Sequence, residues 1–414
     1  MAQTLHRKRR KPKRRSKLSR TVIAIVLGAV IVAAAIFLLS SLIRPKENPR
    51  STPPPSIDTL SAGESIGEYS RPMKSSTTTT EENLDLALYR ALARLGAPKN
   101  QLKIQKVGQI EGVGGKLLSI TAEISRTFPM SMANHIVQSA WKEAGGEIID
   151  CVENRLGRKI TISAGIGGIV IRRIVISREN KEPLEGTVSL VIDDFGALPL
   201  SSIGGFLKLD ISFTASVLPF EEFTAEVYEA LAERDIEIIV HMPMEPESFP
   251  KDDPGENAIF VNLPKREIER RIVLAIEKMP NAVGMNNHMG SKATSDRDAM
   301  SAVACALDES GLFFIDSRTS LYTCAEKEAR KHGIPTTCQD GNIDVVDDTS
   351  AIARRFIDLA LSSRESECGI LIVGHAKKNT LIAIERVLPT LEKWGIKFIP
   401  VSELVSQRAK EHDG

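Results

Sequence analysis

The sequence is poor in the residues that build metal clusters on short loops. It has five cysteines and seven histidines among 414 residues, and the cysteines lack the close pairing of structural zinc sites. The cysteines therefore do not indicate a metal site. In an oxidising compartment Cys324 and Cys338, on one connecting stretch, are the favoured disulfide, which leaves at least one thiol free. Five reduced core cysteines are the equal alternative.

Net charge is also nearly absent, at +1, but this small value hides an uneven distribution. Residues 7–20 contain ten Lys or Arg and no acidic residue, so the rest of the chain is net acidic. A basic arm of this kind can bind nucleic acid, but here it runs directly into an apolar segment. That placement favours a membrane and argues against nucleic acid as a partner.

The apolar segment, residues 21–43, contains no charged side chain. At about 1.5 Å per residue, a helix of this length crosses a hydrocarbon core of roughly 30 Å. Large apolar residues crowd its exit, where a cleavage site would need small ones, so an uncleaved anchor is favoured over a cleaved signal peptide. With the basic arm, residues 1–20, in the cytoplasm, we expect a single pass through the inner (cytoplasmic) membrane. The C-terminal domains would then lie in the periplasm or outside the cell.

Two regions follow the anchor. Residues 44–80 are rich in Pro, Ser and Thr and predict an extended linker. Residues 81–180 combine two helical patterns with alternating, strand-like segments, which predicts a small α+β domain with helices on one face of an antiparallel sheet. Since this domain shows no catalytic cluster, we interpret it as a spacer or interaction module that would contact an envelope protein partner.

Residues 183–408 alternate between strand and helix patterns, as in a parallel α/β sheet or barrel. The nearly continuous apolar run that begins at Val188 indicates a strand buried on both faces. Asp193 and Asp194 follow at its carboxyl end, where ligands and catalysis gather in such folds. Because successive strand residues point in opposite directions, the two acids are expected to hold different roles.

Later strands in this region end in the same polar manner, with His241, His288, Asp316 and His375. One histidine after an apolar strand is usually structural, but three of them with three carboxylates predict a shared site. Two imidazoles and a carboxylate with open coordination positions suit Zn²⁺ or a related divalent ion. A second carboxylate and a further histidine would supply the proton transfers of hydrolysis.

Five short motifs of this region resemble, in the same order, those of the divergent polysaccharide deacetylase family, distant relatives of the NodB-type carbohydrate esterases. The motifs are Val191-Ile-Asp-Asp-Phe-Gly, His241-Met-Pro-Met-Glu-Pro, Asn286-Asn-His-Met-Gly-Ser, Phe314-Ile-Asp-Ser-Arg-Thr-Ser and Gly374-His-Ala. The resemblance covers about residues 183–405. It implies a distorted (β/α) barrel of about seven strands and the hydrolysis of N-acetyl groups on an amino-sugar polymer.

The same resemblance implies roles for particular residues. Asp193 would match the general base and His375 the general acid. Asp194 would match the metal-binding carboxylate of a divalent site, for which Zn²⁺ is the favoured ion. The family's pair of histidines separated by three residues is absent, so His241, which matches its start, is combined with His288 from a later strand end.

Three further residues are candidates for the site: Asn287, Asp316 and Arg318. The relatives' Arg-x-Pro-Tyr motif has no evident counterpart in this chain. Whether Arg318 replaces its charge is left open by the sequence.

Two functions are compatible with these features. The first is a membrane-anchored, metal-dependent hydrolase that acts on C–N (amide) bonds and deacetylates an amino-sugar polysaccharide of the cell envelope. The second is a catalytically degenerate deacetylase-fold protein that serves as an envelope scaffold or binding protein. Every candidate acid, base and ligand type is retained, which favours the first.

Overall fold

In a computed structural model, the structure describes residues 80–109, 116–154 and 156–413. The predicted basic arm, the predicted span at residues 21–43 and all but the last residue of the predicted linker lie outside this part. Within the described ranges, no helix combines the length and the apolar character needed to cross a membrane.

The N-terminal part of the described chain, residues 81–179, contains two helices and five strands. The helices are α1 (Glu81–Arg94) and α2 (Met130–Glu143), and the strands are β1 (Lys103–Gln109), β2 (Lys116–Ser125), β3 (Glu147–Glu153), β4 (Lys159–Ile166) and β5 (Ile169–Glu179). The strands form one sheet in the order β1-β2-β5-β4-β3. The prediction of an antiparallel sheet is wrong at its centre, because β2 and β5 run parallel. After β2 the chain forms α2 and the β3–β4 hairpin before β5 pairs with β2, and a connection of this length permits a parallel pair.

Local signals in the sequence explain how the helix α1 is delimited and buried. The hydroxyl of Thr80 accepts a hydrogen bond from the backbone N–H of Asn83 at 3.2 Å and so caps the first turn. Gly96, with φ of 83°, ends the helix in the left-handed region. The apolar stripe of the helix, which includes Leu84 and Leu88, is fully buried with Trp141 of α2 in the core.

The C-terminal part contains a second sheet in which every neighbouring pair of strands is parallel. Its strands are β6 (Gly186–Phe195), β7 (Thr214–Val217), β8 (Glu237–Met244), β9 (Gly284–Met289), β10 (Phe313–Asp316), β11 (Thr336–Cys338), β12 (Gly341–Asn342), β13 (Ile370–His375) and β14 (Ile396–Ile399). Their order is β11-β10-β9-β8-β7-β6-β13-β12, and β14 pairs with the first half of β6. The predicted α/β class is therefore confirmed as a curled parallel half-barrel. The sheet has nine strands where about seven were expected, since two short ones, β11 and β12, carry no recognisable apolar run.

Helices cover this parallel sheet. They are α3 (Leu200–Ile203), α4 (Thr224–Ala232), α5 (Lys265–Lys278), α6 (Arg297–Ser310), α7 (Ala325–Lys331), α8 (Thr349–Ser362), α9 (Lys378–Lys393) and α10 (Val401–Asp413). On β6, Leu190 and Ile192 join the larger core, whereas Val191 faces a second apolar cluster. That second cluster is filled by Val401 and Leu404 of α10. The near-continuous apolar pattern of β6 thus reflects burial on both faces.

The two sheets belong to one compact unit and meet at a short junction. Phe128 packs on Trp394 with a centroid distance of 4.5 Å, and the indole N–H of Trp394 donates to the carbonyl of Thr127 at 3.1 Å. The guanidinium of Arg364 donates to the carbonyls of Arg94 and Trp394, one from each part. Arg364 follows α8 and lies beside Gly186, at the amino end of β6.

Cys324 and Cys338 form no disulfide with each other in the structure. The disulfide expected between them is therefore absent. The alternative of reduced core cysteines fits Cys338, which is buried, but not Cys151, which is exposed. The thiol of Cys324 donates to the carbonyl of Thr294 at 3.3 Å, while burial raises the pKa of Cys338 to about 12.

Candidate metal centre

The carboxyl end of β6 is irregular, and this irregularity brings its two acids to one site. The pairing of β6 with β7 shifts register between Ile192 and Phe195, and Asp194 adopts a left-handed backbone with φ of 67°. A bulge of this kind re-aims side chains at the end of a strand. Both carboxylates approach His241, but at different ring nitrogens: Asp193 lies nearer Nδ1 and Asp194 nearer Nε2.

Three side chains from three strands meet at the carboxyl edge of the sheet. Oδ1 of Asp194 lies 3.3 Å from Nε2 of His241 and 3.2 Å from Nδ1 of His288, and the two ring nitrogens are 3.1 Å apart. This is the group of acidic, His or Cys side chains that could hold a metal ion in the part of the chain that the structure describes. His241 and His288 lie on neighbouring strands, β8 and β9, which explains why ligands 47 residues apart in sequence converge.

The three atoms form a nearly equilateral triangle of the size that a metal ion requires. Ligand atoms about 2.0–2.2 Å from a tetrahedral ion are separated by roughly 3.3–3.6 Å, and octahedral ligands lie somewhat closer together. Oδ1 of Asp194 is buried and accepts no hydrogen bond from the residues that the structure describes, although burying an unpaired carboxylate oxygen is costly. Three lone-pair-bearing atoms this close repel one another unless a proton or a cation lies among them. The residues present therefore fit a divalent ion.

Electrostatics at the triangle favour a charged carboxylate. Burial works to raise the pKa of Asp194, but the imidazoles of His241 and His288 outweigh it and hold that pKa well below its usual range. Burial works to lower the pKa of His241, but the charges of Asp193 and Asp194 outweigh it and raise that pKa. Protons therefore compete with a cation at the imidazole, as they do at His sites generally.

Asp193, the predicted base, lies beside the triangle and is 3% exposed. Its Oδ1 accepts a hydrogen bond from the amide Nδ2 of Asn286 at 2.9 Å and lies 3.8 Å from Nδ1 of His241. The same Asn286 contacts Nδ1 of His241 through its Oδ1 at 2.8 Å. One buried amide thus joins the predicted base to a predicted ligand.

His375, the predicted acid, ends β13, the strand that pairs with β6 and places His375 opposite Asp193. Its Nδ1 contacts Oδ1 of Asp344 at 2.8 Å, and its backbone N–H donates to Oδ2 of the same carboxylate. Burial works to lower the pKa of His375, but the bond to Asp344 and the charges of Asp344, Asp194 and Asp193 raise it to about 9. With Nδ1 engaged by Asp344, Nε2 is the nitrogen left for a substrate.

The other three predicted site residues shape the neighbouring loop. Asn287 accepts from the backbone N–H of Ser317 and donates to the carbonyl of Met289, so it ties β9 to the loop after β10. Asp316 accepts from the backbone N–H of Arg318 and from the hydroxyl of Thr323, and burial raises its pKa. The side chain of Arg318 is exposed. Within the described ranges, these three form no hydrogen bond to the triangle.

Two residues of the site were missed by sequence reasoning. Asn286 stands within one of the five motifs, and strand alternation places it on the same face as His288 and places Asn287 on the other. That period of two was the signal that could have found it. Asp344 follows β12, a strand of two residues without an apolar run, so no pattern in the sequence predicts that it lies at a strand end.

Comparison with known proteins identifies one matching family and two similar bacterial proteins. Residues 190–405 match the family described as divergent polysaccharide deacetylase. The uncharacterised protein YibQ of Escherichia coli strain K12 is 30% identical over 227 residues, which cover 54% of this chain and 69% of that protein. An uncharacterised protein of Haemophilus influenzae is 27% identical over 207 residues, 50% of this chain and 72% of the relative.

A solved structure resembles the parallel-sheet part. The crystal structure of the uncharacterised protein ATU2773 from Agrobacterium tumefaciens C58 superposes with a TM-score of 0.50 at 19% identity. The match covers 55% of this chain and 91% of that one. At this identity the likeness concerns the fold alone.

Proposed function

Because the chain belongs to the divergent polysaccharide deacetylase family, we propose that it is a metal-dependent hydrolase that removes N-acetyl groups from an amino-sugar polymer of the cell envelope. The single observation that carries this proposal is the triangle of Asp194, His241 and His288, flanked by a carboxylate and by a paired imidazole. Hydrolysis of an amide needs these three parts: an electrophilic centre, a base and an acid.

The triangle would hold a divalent cation, with Zn²⁺ as the favoured ion because two imidazoles and one carboxylate suit it. Such a cation polarises the acyl oxygen and lowers the pKa of water. Three protein ligands leave positions open for substrate, as a catalytic site requires. The left-handed backbone of Asp194 is a strained conformation, and strain of this type concentrates at functional sites.

The proton transfers are assigned to two residues on either side of the triangle. Asp193, held by the amide of Asn286, would take a proton from the attacking water. His375 would donate a proton from Nε2 to the departing amine, since its Nδ1 is engaged by Asp344. A pKa of about 9 keeps this imidazole protonated at neutral pH, as an acid must be.

Placement of the enzyme rests on the sequence outside the described residues. The basic arm and the uncharged segment at residues 21–43 support a single-pass anchor in the inner (cytoplasmic) membrane. The barrel-like domain would then act in the periplasm or outside the cell, with the region 81–180 as a spacer or a contact for an envelope protein. A reporter fused after Gly414 should work only outside the cytoplasm; a reporter that works only inside it would reverse the assigned orientation.

The function is tested by metal analysis of the purified full-length chain together with acetate release from envelope polysaccharide. About one equivalent of divalent metal and release of acetate that stops on chelation are expected. The matched control is Asp193→Asn. This variant leaves the triangle intact, so it should retain the metal and lose acetate release. Bound metal without acetate release from any N-acetylated envelope glycan would contradict the hydrolase and leave a binding scaffold.

A further inference from the structure

Asn286 is the most highly connected polar side chain of the site and is 0% exposed. Its Oδ1 accepts from the hydroxyl of Ser216 at 2.7 Å and contacts Nδ1 of His241 at 2.8 Å. Its Nδ2 donates to Oδ1 of Asp193 at 2.9 Å and to the hydroxyl of Ser317 at 3.4 Å. Every hydrogen-bonding group of this amide faces the site or the side chains that support it.

These contacts fix the direction of every hydrogen bond around the amide. An ionised carboxylate only accepts, so the NH₂ group of Asn286 must face Asp193. Its oxygen must then face His241, and because an amide oxygen only accepts, Nδ1 of His241 must carry the proton. The other ring nitrogen, Nε2, is left with its lone pair directed at the triangle.

We propose that Asn286 is a positioning residue that selects the metal-binding tautomer of His241 and, through the same amide, holds Asp193 in place. This inference rests on the proposed metal site and assigns to that site a residue that couples its base to its ligand. Buried partners that orient a ligating imidazole are known to affect metal affinity by about ten- to a hundredfold. Arg318, the residue considered as a replacement for the missing motif's charge, is exposed, and its backbone N–H donates to Asp316.

The chain offers a matched control in the next residue. Asn287 has the same side chain, is 1% exposed and lies on the same strand, but alternation turns it to the other side. Its amide bonds to the backbone of Met289 and Ser317. Replacing it removes a buried amide of the same size without touching His241 or Asp193.

The first measurement needs neither metal nor activity. In the full-length chain labelled with ¹⁵N-histidine and treated with chelator, His241 is assigned through His241→Gln, and its two nitrogen resonances are read where the ring is neutral. Wild type and Asn287→Ala should show the proton on Nδ1, whereas Asn286→Ala should show a mixture or the Nε2–H form. Retention of pure Nδ1–H in Asn286→Ala would overturn the proposal.

A second variant guards against misfolding of the alanine variant. Asn286→Asp is nearly isosteric and its carboxylate still accepts from Nδ1–H, so it should keep the wild-type tautomer of His241. The Nε2–H form in this variant would also contradict the assigned role. Because the amide that holds Asp193 is lost, this variant should nevertheless have a lower turnover rate than the wild type.

The third measurement is Zn²⁺ affinity by competition with a chromogenic chelator. Asn286→Ala should bind about ten- to a hundredfold more weakly than wild type, and Asn287→Ala should remain within about twofold. Equal loss in both variants would mean that burial of any amide, and not the tautomer, supports the site. If the wild type binds no metal at all, the proposed function fails, while the tautomer measurement still decides the role of Asn286.

Discussion

Charged side chains are buried at both ends of the central strand β6, but their hydrogen-bond partners differ. At the amino end, the guanidinium of Arg364 donates to two backbone carbonyls, while its Nε–H has no partner among the described residues. At the carboxyl end, Oδ1 of Asp194 is buried against two imidazoles and receives no hydrogen bond, on a left-handed backbone. The first arrangement joins two parts of the protein. In the second, the buried oxygen has no hydrogen-bond donor among the described residues, which is the arrangement that the proposed cation would complete.

The pKa values of the two ends support this contrast. Burial lowers the pKa of Arg364 to about 10, since no carboxylate compensates the guanidinium. At the carboxyl end, the coupled charges of carboxylates and imidazoles outweigh burial and keep Asp194 ionised. A charge that meets only carbonyls contributes to structure, whereas a cluster of mutually coupled titratable groups marks a functional site.

The largest expected effect lies at the carboxyl end. Removing either imidazole of the triangle, by His241→Ala or His288→Ala, should lower bound metal to less than about a tenth of the wild-type content, because two ligands alone hold a divalent ion weakly. Metal content by elemental analysis is the measurement. His135→Ala, at an exposed position on α2, is the control. Full occupancy in both triangle variants would break the contrast and point to other ligands.

The next effect separates the proton-transfer groups from the ligands. Asp193→Asn and His375→Ala should each retain the metal and lose on the order of a hundredfold or more in rate, the usual scale for a positioned base or acid. Metal content and acetate release are measured on the same samples. Near-full activity of His375→Ala would place the acid elsewhere, and loss of its metal would make His375 a ligand.

Much of the parallel half could be predicted from the sequence because doubly buried strands leave uninterrupted apolar runs, as in β6 and β13, and their carboxyl ends share one edge. The strand-end residues Asp194, His241 and His288 were therefore found together. The features that could not be predicted depend on backbone geometry, which a run of apolar residues does not reveal. The left-handed Asp194 overrides alternation, and Asp344 follows a strand of two residues. The parallel pairing of β2 with β5 was equally hidden, since a pattern of alternation does not reveal strand direction.

A smaller effect, on stability alone, is expected at the amino end. Arg364→Ala leaves the carbonyls of Arg94 and Trp394 without a donor and should lower the free energy of unfolding by about 2 to 4 kcal/mol, since each unsatisfied buried group costs about 1–3 kcal/mol. Arg94→Ala is the matched control, because it removes only a partly exposed ion pair with Glu365 and should cost less than about 1 kcal/mol. Denaturant unfolding measures both. Rate per folded molecule should not change in either variant, and a large loss of rate in Arg364→Ala would mean that the two ends are coupled.

The smallest expected effect is a shift in pH dependence at the carboxyl end. If His375 is the acid, the active form is protonated, so the rate should fall as pH rises through its pKa of about 9. A cation bound to Asp194 offsets part of the negative charge that raises this pKa, so the alkaline limb of the metal-loaded enzyme should lie at or below that value. Asp344→Asn removes the bond and the charge that contribute most to the increase, and should move the limb to lower pH while leaving the rate on the acidic side little changed.

The interaction of His375 with Asp344 also contributes to the stability of the folded chain. This contribution is fully present below the ordinary pKa of histidine, near 6.5, and is lost as pH rises through about 9. Profiles of kcat/KM against pH, with unfolding measured at pH 6 and pH 10, check both expectations; an alkaline limb that does not move in Asp344→Asn would show that His375 is not the group that titrates.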